Sequence, residues 1–343
     1  MKISAHRIIA IFALLGVSNL ASAQYEDYVQ GVTKDFNKYM DNYMDPLLQG
    51  LGYGFNNGWY NTARPHKSFG FDLTISANLA YVPVANQSFK LNPDNYEVFD
   101  LQDPNNDEFP TVMGGTTNNE IRAVFDKANP NSPYVAFPTL DGIQGDLPLN
   151  IVAVPSPIIQ IGVGIVKKTE LKVRWVPTIK NDAGIDYHYW GMGVMHSVSQ
   201  WIPVVKDLPF LDISGFIGFT NIDLSYELDP GTIDGSDQMA EFGVKTFNYQ
   251  VVASATASVI TGFVGIGYDD FKTNLGMKGT YLVEVPGTGT QEAIVNPVDL
   301  DAKGGGFRAT VGARLKLAIL TLHAAYTLQG YNTLNAGVGF SFR

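Results

Sequence analysis

The 343-residue chain has no cysteine, and charged residues make up only 16 % of it. Without cysteine there is neither a disulfide framework nor a lipid anchor on an N-terminal cysteine, and a domain of this size buries enough surface to fold without such staples. Beyond the first residues no apolar run is long enough for a membrane-spanning helix. Histidine is scarce, with His66, His188, His196 and His323 after the first segment. No two of these have the spacing of a metalloprotease helix, and no G-x-S-x-G elbow, P-loop or dinucleotide fingerprint is present. The expectation is a protein that is not an enzyme, with no catalytic residues, no cofactor and no metal site. A basic stripe is also lacking: the net charge is −10 and the pI near 4.9, which excludes nucleic acid as a partner.

What is present begins with Lys2 and Arg7, an apolar stretch from Ile8, and Ala21-Ser22-Ala23 before Gln24. This order is that of a secretory signal peptide over 1–23, cleaved near Ala23. Residues 24–50 repeat Val29, Val32, Phe36, Tyr43 and Leu47 at helical spacing, which predicts one amphipathic helix. The loop LGYGFNNGWYNTARPHK follows, so 24–67 reads as a helix and plug-like segment. From Ser68 strict alternation sets in: Phe69, Phe71, Leu73, Ile75, Ala77, Leu79 and Tyr81 on one side, Ser68, Gly70, Asp72, Thr74, Ser76 and Asn78 on the other.

The same alternation returns in 157–166, 190–194, 264–268 and the final LNAGVGFSFR, and there glycines stand opposite the apolar residues: Gly162 and Gly164, Gly191 and Gly193, Gly265 and Gly267, Gly337 and Gly339. Glycine on a wet strand face weakens the strand and covers nothing. A lumen packed against an internal plug uses small residues to let that plug approach, so the apolar side is read as facing lipid. The predicted fold is all-β: a transmembrane antiparallel barrel of about 10–14 strands over 68–343, with an N-terminal helical plug. About ten strands are directly legible, an even number, with both chain ends expected in the periplasm. The segments 83–156, 228–241 and 269–303 then read as long acidic outer loops; the first carries ten Asp or Glu against three Lys or Arg.

The inward side of ELKVRW is Glu170, Lys172 and Arg174, and that of FRATVGARLKL includes Arg308, Arg314 and Lys316. Two uses suit a cationic lumen. One is an ion-pair network with Asp72 and Asp212 that seats the plug, because buried charges persist when paired. The other is a ligand site in which Trp59 and Tyr60 pack against the glycine-lined wall, Arg64 and His66 sit at the periplasmic mouth, and Arg174, Arg308 or Arg314 takes the carboxylate of an amphiphile. Asp103, Asn105 and Asp107 in DPNNDE lack the turn glycine and distal glutamate of a calcium loop and read as a solvated turn. The neighbours His196 and Ser197 lack an orienting partner for catalysis.

At GWYNTARPHKSFGFDLT, KKTELKVRWVP, WGMGVMHSVSQWIPVVKDLPF and GVGFSFR the chain resembles an uncharacterised family of Bacteroidota outer-membrane proteins, itself similar to the FadL class of long-chain fatty-acid and hydrocarbon channels. The Asn-Pro-Ala plug motif of FadL proteins is missing and this chain is shorter. The resemblance implies an outer-membrane barrel passing small hydrophobic or amphiphilic molecules; the alternative is a structural or secretion-associated barrel that transports nothing. The expected partners are outer-membrane lipid, a hydrophobic small molecule or another envelope protein.

Overall fold

The computed structural model describes residues 22–180, 185–227, 234–285 and 290–342. The signal-peptide reading falls outside these residues up to position 21. Helix α1 is Ser22–Phe55, longer at both ends than its apolar spacing predicts and about 50 Å in length at 1.5 Å per residue. Strand β1 is Phe71–Tyr81. Short strands β2 (Ser88–Lys90), β3 (Phe99–Leu101), β4 (Glu108–Pro110), β5 (Glu120–Val124) and β6 (Tyr134–Pro138) lie in the connection that follows. Then come β7 (Ala153–Gly164), β8 (Thr169–Lys180), β9 (Ile185–Ser197), β10 (Leu211–Glu227), β11 (Gly235–Ala257), β12 (Ile260–Val285), β13 (Thr290–Val295), β14 (Val298–Leu317), β15 (Leu320–Leu328) and β16 (Thr333–Phe342).

Ten of these strands close a ring in the order β1-β7-β8-β9-β10-β11-β12-β14-β15-β16, every neighbouring pair antiparallel. Ile75 of β1 stands opposite Ile159 of β7 on one side and Val338 of β16 on the other. Closure leaves no unpaired edge, the condition for a sheet to sit in lipid. The faces are as the alternation predicts. Ile75, Ile161, Met192, Val264, Ile266, Val311 and Phe340 are exposed, while Asp72, Thr74, Gln160, Glu170, Arg174 and Arg308 are buried inside. Aromatic residues mark the rims of this apolar belt: Trp190 with Phe219 and Tyr249 with Tyr268 at one end, Phe71 stacked on Phe342 at the other.

Two expected loops are strands. Much of 228–241 and nearly all of 269–303 belong to β11, β12, the β13 hairpin and β14, which run 23, 26, 6 and 20 residues. About ten residues suffice to cross a bilayer, and the remainder stands clear of it. On β12 the outward side changes from Val264, Ile266 and Tyr268 to Asp270, Lys272 and Asn274, while Phe271 and Leu275 still point inward against the helix.

That extension, together with residues 82–152, forms a globular cap around the first half of α1. Tyr28, Val32, Phe36, Tyr39 and Tyr43 of the helix share one core with Leu91, Phe99, Phe109, Ile121 and Phe137 of the cap and with Val298 and Leu300 of β14. Asp35, buried on the helix, accepts the backbone N–H groups of Glu97, Val98 and Phe99. Burial raises the Tyr43 and Tyr96 hydroxyls of this core to about 12. The helix therefore starts at the end of the barrel that carries the long connections, and the chain leaves the lumen at the end of the short turns, where β16 also stops. This corrects the expectation that both chain ends lie on one side.

The belt predicts a depth-dependent cost of charge. Val338→Arg, mid-strand, destabilises the barrel by about 2–4 kcal/mol, and Phe342→Arg, at the rim, by about 0–1 kcal/mol. Equilibrium unfolding in lipid vesicles measures both, and equal costs would refute the lipid-facing assignment.

Candidate functional site

The last turns of α1 enter the top of the lumen through close backbone approach. A Cβ on Gly50, Gly52 or Gly54 would overlap Val154, Phe271 or Ser156 respectively, so each of these positions takes only glycine without a shift of the wall. The helix then ends inside the barrel, where its final carbonyls have no intrahelical donor.

The wall supplies those donors. Arg174 Nη1 bonds the Phe55 carbonyl at 2.8 Å and Nη2 the Asn57 carbonyl at 2.6 Å. Arg308 Nη1 bonds the Asn56 carbonyl at 3.2 Å and Asp269 Oδ1 at 2.8 Å, and its Nη2 bonds Asn57 Oδ1. Asn78 Nδ2 reaches the Gly54 carbonyl, and Gln160 Nε2 the Trp59 carbonyl. Two guanidinium groups at a helix C-terminus also complement its dipole. Arg174 lies over the Trp59 ring at 3.6 Å, adding a desolvated cation–π contact.

Below the helix the chain runs extended along the lumen. Trp59 touches the small face of the wall: a Cβ on Gly193 or Gly218 would come within 3.0 or 2.9 Å of its ring. Tyr60 packs over Gly265, bonds Gln250 through its hydroxyl, and meets Phe216 and Phe263 at ring distances of 5.9 Å. Ser214 and Ser254 hold the backbone of Ala63. Arg64 Nε pairs with Asp212 Oδ2 at 2.7 Å, and Arg314 Nη1 meets Asn61 Oδ1 at 3.1 Å. At the short-turn mouth His66 lies beside Glu170 and Asp72.

All seven sequence-derived candidates therefore lie within the barrel or at its short-turn mouth, Trp59, Tyr60, Arg64 and His66 on the plug and Arg174, Arg308 and Arg314 on the wall. The terminal nitrogens of Arg174 and Arg308 are, however, bonded to the plug and to Asp269, so a ligand's carboxylate would have to displace those bonds. Backbone carbonyls at the end of a buried helix claimed them first. Lumenal Asn78, Gln160 and Asn248 also bond backbone carbonyls of the plug, Gln250 bonds the Tyr60 hydroxyl and Asp269 pairs with Arg308, and the sequence reading missed them. Their inward register was legible, but their partners carry no signature in sequence. His196 faces outward, bonds Thr169 and stacks near Trp201, while Ser197 is buried on the lumen side, so adjacent register separates the pair. Asp103 accepts from Asn105 and Asn106 in a local turn.

A family model, the family of unknown function DUF6588, matches residues 1–342. The chain belongs to that family. No curated protein matches this DUF6588 chain. Among solved structures it is similar to the translocator domain of the autotransporter NalP from Neisseria meningitidis, at 10 % identity and a TM-score of 0.28 over 90 % of this chain and 99 % of that one. It is also similar to the CymD monoaromatic hydrocarbon channel, at 10 % identity and a TM-score of 0.18 over 87 % and 97 %. At such scores nothing about this chain's function follows from either. The DUF6588 chain is a barrel of the outer-membrane type on its own geometry, with a closed antiparallel ring, an apolar belt and a polar lumen.

If the arginines hold the plug, Arg308→Ala costs about 3–5 kcal/mol by leaving Asp269 buried without its partner. Arg174→Lys destabilises too, since one ammonium cannot reproduce a planar fork on two carbonyls. Urea unfolding midpoints of the refolded protein measure both, and changes within about 0.5 kcal/mol, the range of ordinary surface substitutions, would show that the plug stays without them.

Proposed function

We propose that this protein is an outer-membrane barrel that transports nothing and carries a folded cap at the cell surface, tied down by its own N-terminal segment. The observation that carries this reading is the continuous path of residues 22–66, from the cap through the lumen to the short-turn mouth, with the wall's Arg174, Arg308 and Arg314 all bonded to it. Barrels of this class keep short turns on the periplasmic side and long connections outside. The turns at 165–168, 258–259 and 318–319 then face the periplasm and residues 82–152 face out. In this reading the protein acts through contact and not through catalysis. Its partners are outer-membrane lipid around the belt and another envelope or surface protein on the cap.

A second reading is uptake of small hydrophobic or amphiphilic molecules, as in the FadL class. It draws on a groove of about 660 Å³ in the lipid-facing wall, lined by Val194, Ile217, Tyr249 and Ile266, where Gly215 thins the wall beside the lumenal Phe216. Such a groove admits an apolar molecule from the membrane side.

Because the chain has no cysteine, single cysteines report sidedness cleanly. In intact cells a membrane-impermeant maleimide labels Asp27→Cys and Asn131→Cys, and labels Lys168→Cys only after the outer membrane is opened. An Asp27→Cys that stays unlabelled while Asn131→Cys reacts would defeat the threaded arrangement. In planar bilayers the intact protein shows no steady conductance and deletion of 24–66 creates one. Saturable binding of a fluorescent fatty acid, lost when Ile217→Arg fills the groove, would instead favour uptake.

A further inference from the structure

Where the plug leaves the barrel, side chains from three separate elements converge. His66 Nδ1 lies 3.1 Å from Glu170 Oε2 on β8 and 3.6 Å from Asp72 Oδ1 on β1, and the three atoms all fall within 4.8 Å of one another. Bonds from zinc to nitrogen or oxygen of about 2.0–2.2 Å place tetrahedral ligands roughly 3.4 Å apart, so these spacings suit a single ion.

The other polar atom of each residue is already held from behind. Thr74 Oγ1 donates to Asp72 Oδ2 at 2.8 Å, the Lys172 ammonium donates to Glu170 Oε1, and Ser341 Oγ lies 3.1 Å from His66 Nε2. Outer groups of this kind orient metal ligands and fix the imidazole tautomer. His66 Nδ1 and Asp72 Oδ1, on side chains nine-tenths buried, have no hydrogen-bond partner and point at the common centre. The backbone is fixed as well: Phe69 N donates to the Gly164 carbonyl at 2.9 Å, and a side chain on Gly164 would overlap the carbonyls of His66 and Lys67.

We propose that His66, Asp72 and Glu170 form a divalent-metal site of the zinc class, which clips the end of the plug to the barrel wall. One nitrogen and two oxygens make a borderline donor set. Calcium and magnesium take all-oxygen sites held by charge, and Lys172 beside Glu170 works against that kind of binding. This site is independent of whether the barrel transports. The rival occupant is a proton, which would make His66 an imidazolium between two carboxylates.

The test uses full-length refolded protein stripped with chelator, then dialysed against Zn²⁺ and assayed by elemental analysis, with Co²⁺ as a spectroscopic substitute. The expected result is one Zn²⁺ per chain and visible absorption bands from the Co²⁺ form. His66→Gln lowers Zn²⁺ affinity by roughly a hundredfold or more, and Ser341→Ala, which removes the hydroxyl behind Nε2 and leaves the three ligands in place, by about ten- to a hundredfold. Both variants keep the heat-dependent gel mobility of a folded barrel. Folded wild type that takes up no more Zn²⁺ than His66→Gln overturns the proposal and assigns the centre to the proton.

Discussion

A helix that ends inside a closed barrel creates a demand that the rest of this structure answers. Its last carbonyls lie at membrane depth, where water is scarce and an unmet acceptor costs several kcal/mol. Gly54, Phe55, Asn56 and Asn57 receive donors from four wall strands, through Asn78, Arg174, Asn248 and Arg308. Each donor must stand at one height and one angle around the ring. The register of β1, β8, β11 and β14 is thereby tied to the position of the helix end, and Asp269 on β12 joins them by pairing with Arg308.

Packing makes the same arrangement from the other direction. A ten-stranded lumen is narrow, and the chain fills it by exchanging small residues between plug and wall. Where the helix enters, the glycines are on the helix and the bulk is on the wall, as with Gly52 against Phe271. Further down the roles reverse, and Trp59 and Tyr60 lie against Gly193, Gly218 and Gly265. Glycine on the inner face is thus a record of contact, which is why it marks the lumen in the amino-acid sequence alone.

Much of this was legible because alternation has only two phases and both were readable. Phe71, Leu73 and Ile75 against Asp72, Thr74 and Ser76 fixed inside and outside, and the glycines opposite Ile161, Met192 and Ile266 said which side was packed. What failed to show was anything decided by a partner remote in sequence. The outer halves of β12 and β14 carry Asp270, Lys272, Asp299 and Asp301 on their outward face, and such residues read as loop until a helix is found on the other side. Backbone carbonyls have no letter, so the partners of Arg174 and Arg308 were invisible. The direction of α1 was not encoded in its spacing either, since an amphipathic helix reads the same pointing up or down the barrel. His66, Asp72 and Glu170 meet only after β1 pairs with β7 and β7 with β8.

The route of the N-terminal segment makes it a bolt through the ring. Its head, the first half of α1, is gripped by the cap through side-chain packing, and its tail continues covalently into β1, a member of the ring. Because β1 pairs with β16, the last strand, the bolt hangs from the seam at which the sheet closes. A pull on the cap is therefore carried down the lumen to that seam as well as along β12 and β14.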